Sequence, residues 1–346
     1  MVCTHNDGSY WNKLIALGIT PHDLVLRKLS LSTLFKLLNI LRKEKPDLIH
    51  THGKGPGLYG RLLGWMLGIP VVHTFHGFQH KLLPVVQRWF YLFVENVLTL
   101  LTRHHIFVGN GEKNKAKVLM FLNDSNSSVV NNGIDLDSIQ ALPPAEEVLA
   151  SLKLGPRESI KIFGTLSRVS PEKGLDILLE GFVEAAKRAP YIRLLVIGDC
   201  PGEHEKYIKM ITQYIHENGL DDAVKILGAR EDALEILKSI DFYISPSRSE
   251  GLPYNLLEAL AVGKPVMATD IPGNNDIIRK SVEGILVPVN SARTLAHGIL
   301  TLLELGPEEQ KAMRQNGKVR IRDEFSLNLM SEKTFSIYKK LLEGVI

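Results

Sequence analysis

The sequence predicts an α/β protein built from two doubly wound, Rossmann-like domains of parallel sheet, facing each other across a cleft. Three observations carry this. Short β-branched runs alternate with helical patterns from end to end. The alternation falls into two series. And 346 residues are too many for one ordinary core.

The first series reads as strands at DLVLR (23–27), DLIHTH (47–52), PVVHTF (70–75) and HHIFVG (104–109). Helical patterns at 31–45 and 57–68 lie among them. WFYLFVENVLTLLT (89–102) is apolar but interrupted by Glu95 and Asn96. It reads as a buried helix, with a membrane-resting surface as the alternative. The second series is cleaner: KIFGTLSRV (161–169), IRLLVIGD (192–199), AVKILG (223–228), DFYISPS (241–247) and KPVMATD (264–270) are strand-like, each followed by a helical stretch. Patterning is weakest over 135–159, where Pro143, Pro144 and Pro156 interrupt it, so the linker is placed there. The domains are expected at 1–145 and 146–326, with a helix over 327–346 packing back on the first. Ligands of such sheets bind outside the carboxyl ends of the strands.

Hydrophobic residues make up 45% of the chain, charged residues 23%, and the net charge is +3. That charge gives no footprint for nucleic acid. Cys3 and Cys200 match no metal spacing and fit a reducing cytoplasm. The start has no basic-then-apolar segment of the signal-peptide kind.

HGKGPGLYG (52–60) contains Gly55-x-Gly57-x-x-Gly60, the spacing of a dinucleotide loop. Pro56 sits inside it, and no acid occurs between Asp47 and Glu95 to bind a ribose. It reads instead as a close helix–strand packing turn. No cofactor is expected.

Two loops carry the chemistry. Arg168 and Lys173 lie between a strand end and the helix that Gly174 opens, where two cations can bind a diphosphate. In SEGLPYNLLEA, Glu250 lies in the loop after DFYISPS and Glu258 about one turn into a helix with Pro253 near its first position. Free N–H groups at that helix start suit an anion, and the two carboxylates can accept hydrogen bonds from a ribose diol and from sugar hydroxyls. A glycosidase acid/nucleophile pair is the competing reading, but it needs no phosphate site.

SEGLPYNLLEA, GTLSRVSPEKG, HTFHGF (73–78), NNGID (131–135) and LGAREDALEILKSIDFYISPS (227–247), in this order-specific combination, resemble the retaining glycosyltransferases of family four, which have the GT-B fold. IPGNNDII (271–278) and KGPGLYGRLLGWMLGIPVVHTFHG (54–77) are most similar to the bacterial capsular and exopolysaccharide branch. The resemblance implies metal-independent, retaining transfer of a sugar from a nucleotide diphosphate, UDP by preference, to a glycan or lipid-linked acceptor. It implies that Glu258 binds the ribose, Glu250 with Gly251 and Leu252 the donor sugar, Arg168 and Lys173 the diphosphate, and backbone near Gly228 and Arg230 the base. His76 would serve the reacting sugar. His50, His52 and His73 lie nearby; a zinc reading is set aside because the fold class uses no metal. A lipid-linked acceptor implies a cytoplasmic protein peripheral at the inner membrane face, with Lys81, Arg88, Trp89 and Phe90 in contact; the alternative is a solvated, partly packed helix. The chain starts at what would be the family's second strand, without its glycine-rich loop. That leaves open a catalytically weak nucleotide-binding relative or partner subunit, and, more remotely, a sugar-nucleotide epimerase.

Overall fold

The computed structural model describes residues 1–3, 10–26, 30–77 and 84–344. Gly8, Arg27, Phe78 and Lys81 lie outside the described residues. The chain divides into two compact units. Unit 1 comprises Met1–Val108, Glu112–Val130 and the residues from Lys333 on; unit 2 comprises Gly109–Gly111 and Asn131–Glu332.

The first elements in chain order are β1 (Val2–Cys3), α1 (Tyr10–Ala16), β2 (His22–Asp23), α2 (Leu31–Glu44), β3 (Ile49–His52), α3 (Lys54–Leu67), β4 (Val71–Phe75), α4 (Val85–Leu100), β5 (His104–Phe107), α5 (Asn110–Leu119) and β6 (Ser127–Val129). Strands β3-β4-β5-β6 form a parallel sheet in that order, and β1 pairs with β2 separately. The strand expected at 23–27 is shorter: Leu24 and Leu26 are buried and Val25 is exposed, but the ladder stops at Asp23. Ser30 caps α2 by accepting from the Thr33 N–H, and Leu37 and Leu41 bury its inner face.

Helix α3 begins at Lys54, so Gly55 to Gly60 are helix and not the turn expected. The glycines serve close packing on the sheet. A Cβ on Gly60 would lie 2.3 Å from Thr51 Cγ2, and one on Gly64 2.2 Å from Val71 Cγ2. Helix α4 also departs from expectation. It buries Leu92, Glu95, Leu98 and Thr99, and Glu95 meets the buried Arg61 at 2.9 Å. Its other face is open: Val85, Val86, Trp89, Phe90, Phe93, Val97 and Leu100 are all exposed. At 100° per residue these seven fall within one stripe of about 140°. No described helix is long and apolar enough to cross a membrane.

The remaining elements are α6 (Leu136–Ala141), α7 (Glu146–Ser151), β7 (Lys161–Leu166), α8 (Leu175–Arg188), β8 (Ile192–Ile197), α9 (Glu205–Glu217), β9 (Val224–Gly228), α10 (Ala233–Ser239), β10 (Phe242–Ser245), α11 (Tyr254–Ala261), β11 (Val266–Thr269), α12 (Asn274–Ile277), β12 (Gly284–Val287), α13 (Ala292–Glu304), α14 (Pro307–Glu324) and α15 (Leu327–Leu342). The six strands form one parallel sheet in the order β12-β11-β10-β7-β8-β9. The strand order therefore reverses beside β7, between β7 and β10. The loops after those two strands border the crevice where doubly wound sheets take ligands. Phe163, Leu178, Phe182, Leu194, Val196, Phe242 and Ile299 form a continuous core around this sheet. Sequence reading passed over the short strands β6 and β12 and the mostly polar α5.

Candidate active site

The loop after β7 and the loop after β10 carry the residues singled out by sequence, and the sheet brings them together in unit 2. Lys173 ends a 3-10 turn, Pro171–Lys173. Gly174 then turns the chain into α8 with φ +68°, and a Cβ there would lie 2.2 Å from the Pro246 carbonyl oxygen. Only glycine allows the β7 loop this approach to the β10 loop. The Arg248 N–H donates to the Glu172 carbonyl at 2.8 Å. Arg248 also holds Asp176 in a two-toothed pair, both contacts 2.8 Å, while the Tyr207 hydroxyl donates to the same carboxylate. Burial pushes Asp176 up, but these donors outweigh it and hold it below the ordinary carboxylate range.

Glu250 is engaged through one of its two oxygens. The Lys173 ammonium donates to its Oε1 at 2.7 Å, and the Ser247 hydroxyl donates to the same oxygen at 2.6 Å. Both charged side chains are enclosed, with 16% of Lys173 and 9% of Glu250 exposed. Arg168, by contrast, is 57% exposed and only 3.9 Å from Glu172, so its charge faces outward. The Gly251 carbonyl packs against Gly273, and Leu252 is buried, its carbonyl accepting from Asn132 at 2.8 Å.

Glu258 differs. It lies in the second turn of α11, half-buried, and its carboxylate has no hydrogen bond or ion pair with any described residue. Burial raises its pKa. The helix starts at Tyr254, just after Pro253, and the Asn255 amide donates to the Leu166 carbonyl at the end of β7. Gly228, at φ +69°, ends β9, and its carbonyl accepts from the Gly198 N–H at 2.8 Å. Gly198 in turn packs on Ser167, which places Gly228 next to the Arg168 loop. The Arg230 guanidinium is committed to Asp232, with both contacts 2.7 Å.

His76 belongs to unit 1. It follows β4, and its Nε2 lies 2.9 Å from His52 Nδ1. Burial first, and the neighbouring His52 second, hold it well below the usual histidine range. His50 contacts Thr74 and Tyr338, and His73 contacts Thr51 at 2.8 Å. Among the described residues no three His, Cys, Asp or Glu side chains are arranged to hold a metal ion.

Sequence reading missed Ser247, Asn255 and the Arg248–Asp176–Tyr207 brace. Ser247 stands three residues before Glu250, so its reach was readable locally. The brace joins residues 31 and 72 positions apart, and no single-sequence pattern marks it.

Residues 2–138 match the family described as Glycosyltransferase Family 4, and residues 151–320 match Glycosyl transferases group 1. An Escherichia coli UDP-Gal:alpha-D-GlcNAc-diphosphoundecaprenol alpha-1,3-galactosyltransferase is 28% identical over 314 residues, 87% of this chain and 73% of that one. A glycosyltransferase from Rickettsia africae ESF-5 superimposes with TM-score 0.84 at 22% identity, covering 99% of this chain and 90% of its own. The Anabaena protein HepE, crystallised with UDP, gives TM-score 0.83 at 20% identity, covering 96% and 90%. With the two family matches running in tandem through nearly all of its length, and the fold shared with these structures, the chain belongs to the GT-B glycosyltransferases of the family 4 type.

Proposed function

We propose that the protein transfers a hexosyl group, with retention, from a UDP-sugar to a glycan or lipid-linked acceptor in surface polysaccharide synthesis, in the capsular and exopolysaccharide branch and without a metal. The observation that carries the reading is the bare, half-buried Glu258 on the helix that follows the loop of the Glu250–Lys173 pair, after a strand at the strand-order switch of unit 2. A buried carboxylate without donors is costly, and a ribose diol supplies two. Arg168 and Lys173 hold the diphosphate and stabilise the charge that develops as the nucleotide leaves. Glu250, with backbone at Gly251 and Leu252, takes the sugar; backbone at Gly228 and Arg230 takes the base; His76 serves the reacting sugar. The names of the E. coli relative and of the HepE structure, which print UDP, support the choice of nucleotide. The same reading makes the protein cytoplasmic and peripheral at the inner membrane face. The exposed stripe of α4, with Trp89 and Phe90, supports that contact, whereas Arg88 falls on the helix face of Leu92, Glu95 and Thr99.

The test is calorimetric titration of UDP into the purified chain, with Glu258→Ala beside it. Wild type should bind, and the variant should bind about 10–100-fold more weakly, the cost of hydrogen bonds to a charged group. Equal affinities would remove Glu258 from the site. Folded wild type that ignores UDP would reject UDP as the nucleotide.

A further inference from the structure

Unit 1 holds a row of imidazoles that the donor-side residues leave unexplained. Parallel register places His50 opposite Val72 and His52 opposite Thr74. Side chains two apart on a strand share a face, so His50, His52 and Thr74 point to one side at the carboxyl ends of β3 and β4, where His76, just past β4, meets them. The rings of His50 and His52 are 4.2 Å apart, and those of His52 and His76 are 5.2 Å apart and nearly parallel at 29°. His52 Nδ1 meets His76 Nε2 at 2.9 Å. At the other end His50 is pinned twice: Nε2 lies 2.7 Å from the Thr74 hydroxyl, and Nδ1 contacts the Tyr338 hydroxyl on α15.

A neutral imidazole carries one N–H. In the His52–His76 contact one nitrogen must donate and the other accept, so the two tautomers are locked to each other. His76 is then left with Nδ1 alone for a ligand, as donor or as acceptor according to the proton on His52. We infer that His52 is a positioning residue, which fixes the ring and the tautomer of His76, and that His50, anchored by Tyr338 and Thr74, holds His52 from behind. The inference rests on the reading of His76 as a residue of the reacting sugar. Burial, followed by mutual repulsion within the row, keeps His50 (pushed down to about 3) and His76 neutral, as the locked pair requires.

Long-range proton–nitrogen NMR of the histidine rings tests this on the whole chain without a substrate. In wild type His52 and His76 should show the same tautomer, both Nδ1–H or both Nε2–H. In His52→Ala, His76 should become a tautomer mixture and titrate at higher pH, because the neighbour that lowers it is gone. His52→Asn places an amide where Nδ1 stood and should restore a single His76 tautomer; His52→Gln should not. Tyr338→Phe removes one hydroxyl and should free the tautomer of His50 without unfolding the chain. With a donor found by screening, His52→Ala should lower kcat about 10–100-fold, as for a misplaced group, at nearly constant donor KM, with recovery in His52→Asn. A His76 that keeps its tautomer and titration in His52→Ala overturns the inference. So does a His52→Asn chain as altered as His52→Ala. Absence of transfer from every donor would sink the proposed function, while the spectra still decide the tautomer coupling.

Discussion

Glu250 and Glu258 are the same chemical group in opposite states. Glu250 accepts from Lys173 and Ser247 at one oxygen, while Glu258 has only its burial. Burial disfavours the charged form, so Glu258 takes up a proton at higher pH than a free carboxylate. A diol needs the charged form as acceptor. UDP affinity should therefore fall as pH drops toward the raised pKa of Glu258, beginning above the ordinary carboxylate range. In Glu258→Gln that acid loss should vanish from the calorimetric pH series, at lower affinity throughout. An acid loss unchanged in the variant would place the titrating group elsewhere. Glu250 and Glu258 were legible because both follow one strand within a short segment. Their different states were not, because the donor to Glu250 comes from Lys173, 77 residues away.

Among the elements, α3 and α4 show what periodicity conveys and what it hides. The glycine spacing of α3 predicts close approach, and the structure puts that approach on the helix face. Alanine at Gly60 gains up to about 1 kcal/mol of helix propensity. Overpacking costs about 1–3 kcal/mol, and at 2.3 Å from Thr51 it should win. Gly60→Ala should lose about 1–2 kcal/mol in urea unfolding; a stabilised variant would show that the sheet yields. Helix α4 is apolar on both faces, so its sequence could not reveal which one the protein covers. Four buried residues are set on the Arg61 side, and the outer stripe carries Trp89 (66%), Phe90 (68%) and Phe93 (66%) to the solvent. The stripe holds no acidic residue. Wild type should float with vesicles containing anionic lipid, and Trp89→Glu/Phe93→Glu should remain in the soluble fraction. Equal flotation of the two would separate α4 from membrane contact.

At the scale of the whole molecule, acid should act unevenly. His50 and His105 are held down to about 3 and His104 to about 4, chiefly by burial, and His73 lies well below its ordinary value. All belong to unit 1. A lowered folded pKa means that the unfolded chain takes protons first. The stability these neutral histidines give is present above about pH 6.5 and is lost as pH falls toward 3–4. In unit 2 the lowered groups include Glu172 and Asp176, whose contribution fades only below the ordinary carboxylate range. Unit 1 should therefore yield at higher pH. The three tryptophans, Trp11, Trp65 and Trp89, all lie in unit 1. Their fluorescence should change at higher pH than the far-ultraviolet signal of the whole chain; coincident transitions would mean that the units unfold together. The two-series alternation made the fold class readable; the order of the strands, and so the place of the switch, was not, because alternation does not say which strands pair. The division of α15 between the units was not readable, since nothing in LNLMSEKTFSIYKKLL marks where one unit takes over from the other.

That division has a consequence in time. Unit 1 is assembled from residues up to Val130 and from Lys333 on, with Asn131–Glu332 of unit 2 between them. A ribosome adding about 5–20 residues per second delivers Tyr338 roughly 10–40 s after Val130. Throughout that interval His50 has the Thr74 hydroxyl but not that of Tyr338, and the imidazole row has half its anchorage. The unit translated first is therefore the unit completed last.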